Sequence, residues 1–259
     1  MIPYFRYTFI PLGPVHIQVW GLMVATGIVV ATLVGRREAK RRGLDPDAFV
    51  DLATWIMISA LVFARLFHVF VYEPAAYLAA PLRIFKVWEG GMSSFGGFFG
   101  AAVGALYYAR KRKLRFLAYA DAACYAFPLG YGIGRIGCFL IHDHPGTLSH
   151  SLLAVRYPGG ARLDHGLLLS LTGFAIFAVF YVLNRRRIAR GEAFGRFLPL
   201  LMVSYGAVRF VLDFYRAYDL PGSDVRYAGL TPAQYGSLLL IAGGAWLLAG
   251  MRKAGRART

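Results

Sequence analysis

Three arginines stand inside otherwise apolar runs of this sequence, Arg65, Arg135 and Arg209, and their chemistry most needs an explanation. A guanidinium at mid-membrane depth costs at least about 2.5–3.5 kcal/mol, so it normally turns toward a cavity or a partner. The bland alternative is snorkelling to the interface or pairing with a carboxylate of its own helix. Arg209 has such a carboxylate, since Asp213 lies four residues on, on the same helical face. Arg65 is followed by His68, which cannot neutralise it. Arg135 has no acidic residue within a helical turn and is the better candidate for facing a ligand. The planar fork of arginine suits phosphate, because it offers two parallel N–H donors to two oxygens.

The neighbours of these arginines extend the set. Arg135 sits in Gly130-Tyr131-Gly132-Ile133-Gly134-Arg135-Ile136-Gly137-Cys138. Glycines along one helix face permit close helix approach, and Gly134 and Gly137 also leave room for a ligand beside the guanidinium. The spelling from Gly132 to Gly137 matches a dinucleotide loop, but that loop needs a strand–turn–helix setting that a membrane helix does not give. His142, Asp143 and His144 follow directly, then Gly146. Three readings of that run stay open: a metal site, for which His-x-His with one carboxylate is a weak pattern; a solvated loop; or a general acid or base beside an arginine-bound headgroup. No metal or other cofactor is expected. Small residues from Gly90 to Gly97, with Phe95, Gly96 and Gly97 at their end, open another apolar run. Tyr205 and Arg209 share a helical face that must point inward.

The elements that position these residues are membrane spans. Apolar residues make up 58% of the 259 and charged ones only 16%, against about 25% charged in a soluble domain. Runs of about 20 apolar residues match the bilayer core when helical, and backbone in lipid must satisfy its own hydrogen bonds. The pattern predicts an all-α integral membrane protein forming one domain, 1–259, of seven helices at approximately 16–35, 48–72, 92–109, 117–141, 165–183, 196–215 and 229–251. Its net charge of +16 reflects topology rather than nucleic-acid binding, because the basic residues cluster between spans. Of the 29 Lys and Arg, nineteen fall in alternate connections (36–42, 110–115, 185–196 and the tail from 252), seven in the opposite set and three inside spans. Basic-rich loops stay cytoplasmic, so the N-terminus is expected outside and the C-terminus inside. The longest connections, roughly 73–91, 142–164 and 216–228, then lie on the outer side. Two cysteines, Cys124 and Cys138, form neither a disulfide framework nor a zinc motif by spacing. No cleavable signal peptide is expected, since Pro3, Pro11 and Pro14 precede the first apolar run.

Several motifs in order resemble the bacterial prolipoprotein diacylglyceryl transferase family. They are Trp20-Gly21-Leu22-Met23, Ala64-Arg65-Leu66, Trp88-Glu89-Gly90-Gly91-Met92-Ser93, Gly134-Arg135-Ile136-Gly137, and Tyr205-Gly206-Ala207-Val208-Arg209-Phe210 with Asp213 and Arg216. The resemblance implies an enzyme of the bacterial cytoplasmic (inner) membrane. It would transfer the diacylglyceryl group of phosphatidylglycerol to the lipobox cysteine of a preprolipoprotein signal peptide, releasing glycerol phosphate. Arg135 and Arg209 match the arginines that hold the lipid phosphate, Tyr205 matches a tyrosine on the same helix, and Gly146 matches the glycine closing the signature segment.

This chain also departs from the family pattern. Phe95 stands where the family has its functional histidine, Cys138 where it has asparagine, and Trp20 where it has tyrosine. Leu167-Leu168-Leu169 replaces a Leu-Tyr-Glu-type motif. The expected consequence is that proton handling passes to His142 or His144 with Asp143. Phe95, Gly96, Gly97, Trp20, Arg65, Gly134, Gly137, Cys138 and Gly146 then line the lipid site. Two other readings remain: a lipid-binding homologue without turnover, and a transferase using another anionic lipid or acceptor.

Overall fold

Long apolar runs between basic clusters fold here as helices, and the polar connections between them fold as short turns and ribbons. The structure, a computed structural model, describes residues 1–13, 15–86, 90–189, 195–221, 223 and 226–256. Trp88 and Glu89, named above for the family resemblance, lie outside the described residues, as do Pro14, Arg190 and Arg258.

In chain order the elements are β1 (Phe9–Leu12), β2 (Val15–Gln18), α1 (Val19–Arg41), α2 (Pro46–Phe67, continued by a π-turn to Tyr72), α3 (Pro74–Ala79) and α4 (Ser94–Lys111). There follow α5 (Phe116–Ile141), β3 (Pro145–Leu148), β4 (Val155–Tyr157), β5 (Gly160–Asp164), α6 (His165–Ala189), α7 (Phe197–Leu212) and α8 (Pro232–Arg256). Six helices among the described residues are long and apolar enough to cross a membrane: α1, α2, α5, α6, α7 and α8. The remaining expected span corresponds to α4, an 18-residue helix outside that set.

The fold is mostly helical, as an all-α membrane protein is expected to be, and carries two small antiparallel sheets besides. β1 pairs with β2, Phe9 opposite Gln18. In the other sheet β5 lies between β3 and β4, and Pro158-Gly159 makes the two-residue corner between Tyr157 and Gly160. Their physical origin is plain: outside the bilayer a connection of twenty or so residues still has backbone donors and acceptors to satisfy, and strand pairing does so.

Two compact units emerge, one of residues 36–119 and the other of 1–35 with 120–259. In the first, α2 and α4 pack through a stripe of Gly96, Gly100 and Gly104. A Cβ at Gly100 would lie 2.3 Å from the Ser59 carbonyl oxygen, and one at Gly96 2.4 Å from that of Phe63, so only glycine permits this approach. Tyr108 donates to Asp51 at 2.7 Å across the same pair.

In the second unit α5 is flanked by α1 and α6, again through glycines. A Cβ at Gly27 would sit 2.3 Å from the Gly130 oxygen, and one at Gly173 2.8 Å from the Gly132 nitrogen. Tyr125, Ile176, Phe180 and Phe197 form a buried cluster. The N-terminus of α7 has no capping side chain of its own; Asp121 of α5 accepts the Leu198 N–H at 2.8 Å. A carboxylate there satisfies an orphan donor and complements the helix dipole, which fixes α7 against α5.

Candidate functional site

Tyr131, Arg135 and Cys138 recur at four- and three-residue intervals, so α5 carries them on one face. The Arg135 guanidinium carbon lies 5.1 Å from the Tyr131 ring centroid, a cation–π contact. Its Nη1 is 3.7 Å from Cys138 Sγ, and Trp20 of α1 is also within hydrogen-bonding reach of that sulfur. Among the described residues Arg135 has no carboxylate partner.

From α7, Tyr205 meets the same face. The Tyr131 and Tyr205 hydroxyls are 3.2 Å apart and the rings meet edge to face at 5.4 Å. One turn on, Arg209 Nη2 pairs with Asp213 Oδ1 at 3.0 Å. Asp213 is fully buried and also accepts a hydrogen bond from Thr231. A buried carboxylate shared in this way holds Arg209 in one orientation. Both guanidinium groups lie close enough to Tyr131 and to His144 to interact with them electrostatically. The two intramembrane cations of this unit therefore flank one tyrosine pair, in the C-terminal half of α5.

The turn after α5 distributes the three residues of the His-Asp-His run. His142 adopts φ +52°, a left-handed conformation that is uncommon outside glycine. Its ring is buried among Tyr4, Phe5, Phe139 and Tyr157, and Nδ1 pairs with Asp164 at 2.7 Å. Tyr157 donates to the same carboxylate at 2.6 Å. Asp143 and His144 turn the other way. Their donor atoms and Cys138 Sγ all lie within 4.8 Å of one another, an arrangement able to hold a metal ion. Burial holds the His144 imidazole below its ordinary pKa; Arg216, Arg135 and Arg209 push the same way, against the pull of Asp143.

Gly137 and Gly146 stand where a side chain would not fit. A Cβ at Gly137 would lie 2.9 Å from Met23 Cβ and 3.0 Å from Trp20 Cα, so this glycine faces α1. Gly134 faces Val24 of the same helix at an ordinary 3.8 Å. Gly146 sits against backbone, with a Cβ there 2.6 Å from the Tyr215 oxygen. It forms a bridge with Arg216, and its carbonyl accepts from Arg162 at 3.1 Å. Arg162 also reaches Asp219 at 2.9 Å.

Arg65, Phe95, Gly96 and Gly97 belong to the other unit. Arg65 is buried and donates to the carbonyls of Arg83, Ile84, Lys86, Gly90 and Gly91, stapling the connection after α3, while Tyr77 covers its guanidinium. Phe95 is 74% exposed. A Cβ at Gly97 would find only ordinary contacts, the nearest at 3.8 Å.

Tyr131, Tyr157 and Asp164 were not among the residues expected. Only Tyr131 carried a usable signal, its place four residues before Arg135.

The profile of the family described as prolipoprotein diacylglyceryl transferase matches residues 7–250. The phosphatidylglycerol–prolipoprotein diacylglyceryl transferase of Chromohalobacter salexigens is 36% identical, over 87% of this chain and 84% of its own. Proteins of the same name from Geobacter sulfurreducens and Xanthomonas euvesicatoria are 33% and 34% identical; these matches cover 84% and 94% of this chain and 84% and 90% of theirs.

Proposed function

This chain belongs to the prolipoprotein diacylglyceryl transferase family, and we propose from that premise and the site geometry how it carries out the family's reaction. It is a multi-pass membrane enzyme that transfers the diacylglyceryl group of phosphatidylglycerol to a prolipoprotein. The acceptor is the lipobox cysteine of a signal peptide, reached at the outer face of the bacterial inner membrane. Charge alternation supports an outer N-terminus. α4 completes seven spans, since 18 residues extend about 27 Å, close to the bilayer core.

One observation carries the reading: Arg135, without a carboxylate partner among the described residues, stands with Arg209 around the Tyr131–Tyr205 pair. A phosphodiester placed there receives two guanidinium groups. As the acceptor thiolate attacks the glycerol carbon, the C–O bond breaks and negative charge grows on the departing phosphate. Fixed cations in a water-poor site stabilise that charge more than they stabilise the ground state. The buried Asp213 keeps Arg209 pre-oriented, and Tyr205 with Tyr131 sets the floor on which the headgroup rests. Handling of the thiol proton falls to the Cys138–Asp143–His144 corner, beside Arg135, rather than to the enclosed ring of His142.

The test is direct. The purified chain in phosphatidylglycerol vesicles is incubated with a lipobox peptide and with its Cys→Ser counterpart. A thioether adduct on the first peptide alone, with one glycerol phosphate released per adduct, is expected. Absence of both products overturns the reading.

A further inference from the structure

The corner where α5 ends, to which handling of the thiol proton falls, is also a ligand set. Cys138 Sγ, an Asp143 carboxylate oxygen and a His144 ring nitrogen lie within 4.8 Å of one another, and His144 Nε2 is 3.7 Å from Asp143 Oδ2. We propose that Cys138, Asp143 and His144 bind a thiophilic divalent cation, zinc foremost, and that the acceptor cysteine completes its coordination as the fourth ligand. The proposal rests on the transferase reading for its role but not for its existence.

The donors fit such an ion. Thiolate, imidazole and carboxylate are the three ligand types zinc accepts, with bonds of about 2.0–2.3 Å, which put tetrahedral donors about 3.5 Å apart. From separations of up to 4.8 Å the donors reach that spacing by closing about 1.3 Å. The scaffold is already held in place. His142, between the ligands in sequence, is tied to Asp164 at 2.7 Å, and Gly146 beyond them is wedged against the backbone of Tyr215. Cys138 is buried, on a helix packed closely against its neighbours. Arg135 lies beside the sulfur, its Nη1 3.7 Å from Sγ. Arg135, Arg209 and Arg216 all bear on this corner; the two anionic ligands, with Asp213 paired to Arg209, offset their repulsion of the cation.

Three protein ligands leave one position open, the pattern of a working rather than a structural zinc site. What the reaction needs there is a deprotonated sulfur, and a coordinating thiol loses its proton outright. Phe95, where a proton-handling histidine is expected, is a hydrocarbon ring. The acceptor thiol binds and releases its proton. Its sulfur then forms the S–C bond to the glycerol carbon, and the C–O bond breaks with its electron pair passing to the phosphate. The proton ends on the released glycerol phosphate, so no redox partner is involved.

Cobalt(II) reports such a site by its colour. The full chain in detergent is stripped with a chelator and titrated with cobalt. One equivalent should bind, with a sulfur-to-cobalt charge-transfer band that grows when lipobox peptide is added. C138S should abolish the band, C124S should keep it, and D143N and H144Q should weaken binding about tenfold or more. Absence of stoichiometric cobalt, or a band unchanged in C138S, overturns the site. Thioether formation at an undiminished rate in the stripped protein overturns its role in activating the thiol. A normal cobalt band with no thioether under any metal condition would leave the site standing and sink the transferase reading instead.

Discussion

Replacing Arg135 by lysine keeps the charge and removes the fork, so it isolates what the guanidinium geometry contributes. In the structure Arg135 is stacked on Tyr131, its Nη1 reaches only the weak acceptor Cys138 Sγ, and it has no carboxylate partner among the described residues, so a phosphodiester competes with no anion for its donors. Lysine offers a single ammonium and loses one of two parallel charge-assisted hydrogen bonds, worth about 1.5–3 kcal/mol. At tenfold per 1.36 kcal/mol, kcat/KM for phosphatidylglycerol should fall about 10- to 150-fold. Arg135→Ala removes both bonds and should fall about 10²- to 10⁴-fold on the same scale. The assay is thioether formation, followed by mass spectrometry at saturating peptide and varied phosphatidylglycerol in mixed micelles, with a melting curve as the folding control. Activity of Arg135→Lys within about twofold of wild type, or a loss confined to the KM for peptide, would refute the phosphate role.

Three other perturbations probe different parts of the molecule. Arg65→Met leaves five loop carbonyls without their donor; limited proteolysis between residues 80 and 91 should accelerate, whereas a substrate-contacting Arg65 would alter lipid kinetics and leave cleavage unchanged. Gly27→Val sets a Cβ 2.3 Å from a backbone oxygen of α5. It should cost about 1–3 kcal/mol of stability, read as a lower Tm together with lost activity; an unchanged Tm would contradict the α1–α5 contact. Asp219 is held below the ordinary carboxylate range by its hydrogen bonds with Arg162. A depressed folded-state pKa stabilises above the unfolded value of about 3.9, and that stability is lost as pH falls through the folded value. Thermal unfolding in detergent below about pH 4 should therefore differ less between conditions in Asp219→Asn than in wild type.

Six spans are legible because the bilayer imposes a length and forbids unpaired backbone, and both leave a mark in composition. Arg209 with Asp213 was legible for a similar reason: four residues on a helix is a contact. The Tyr131–Tyr205 pair joins helices 74 positions apart, and no local periodicity encodes which helices touch. The loop contacts of Arg65 are not legible, because its acceptors are main-chain carbonyls, which every residue has and no sequence pattern marks. The His142-Asp143-His144 run was read as a unit. The left-handed turn at His142 divides it, sending one histidine to Asp164 and the other toward Cys138. A single backbone dihedral decides that split. Glycines beside Arg135 suggested space for lipid, but Gly137 in fact admits α1, since both uses call for the same missing side chain.

Whether Arg135 and Arg209 act on one phosphate is best measured by a double-mutant cycle with Arg135→Lys, Arg209→Lys and the pair, read as kcat/KM for phosphatidylglycerol. Two groups that grip the same anion depend on each other. The double variant should therefore lose less than the product of the single losses, with a coupling of about 1 kcal/mol or more. Losses that simply multiply would mean that the two guanidinium groups serve separate ends, and the shared phosphate site would be contradicted.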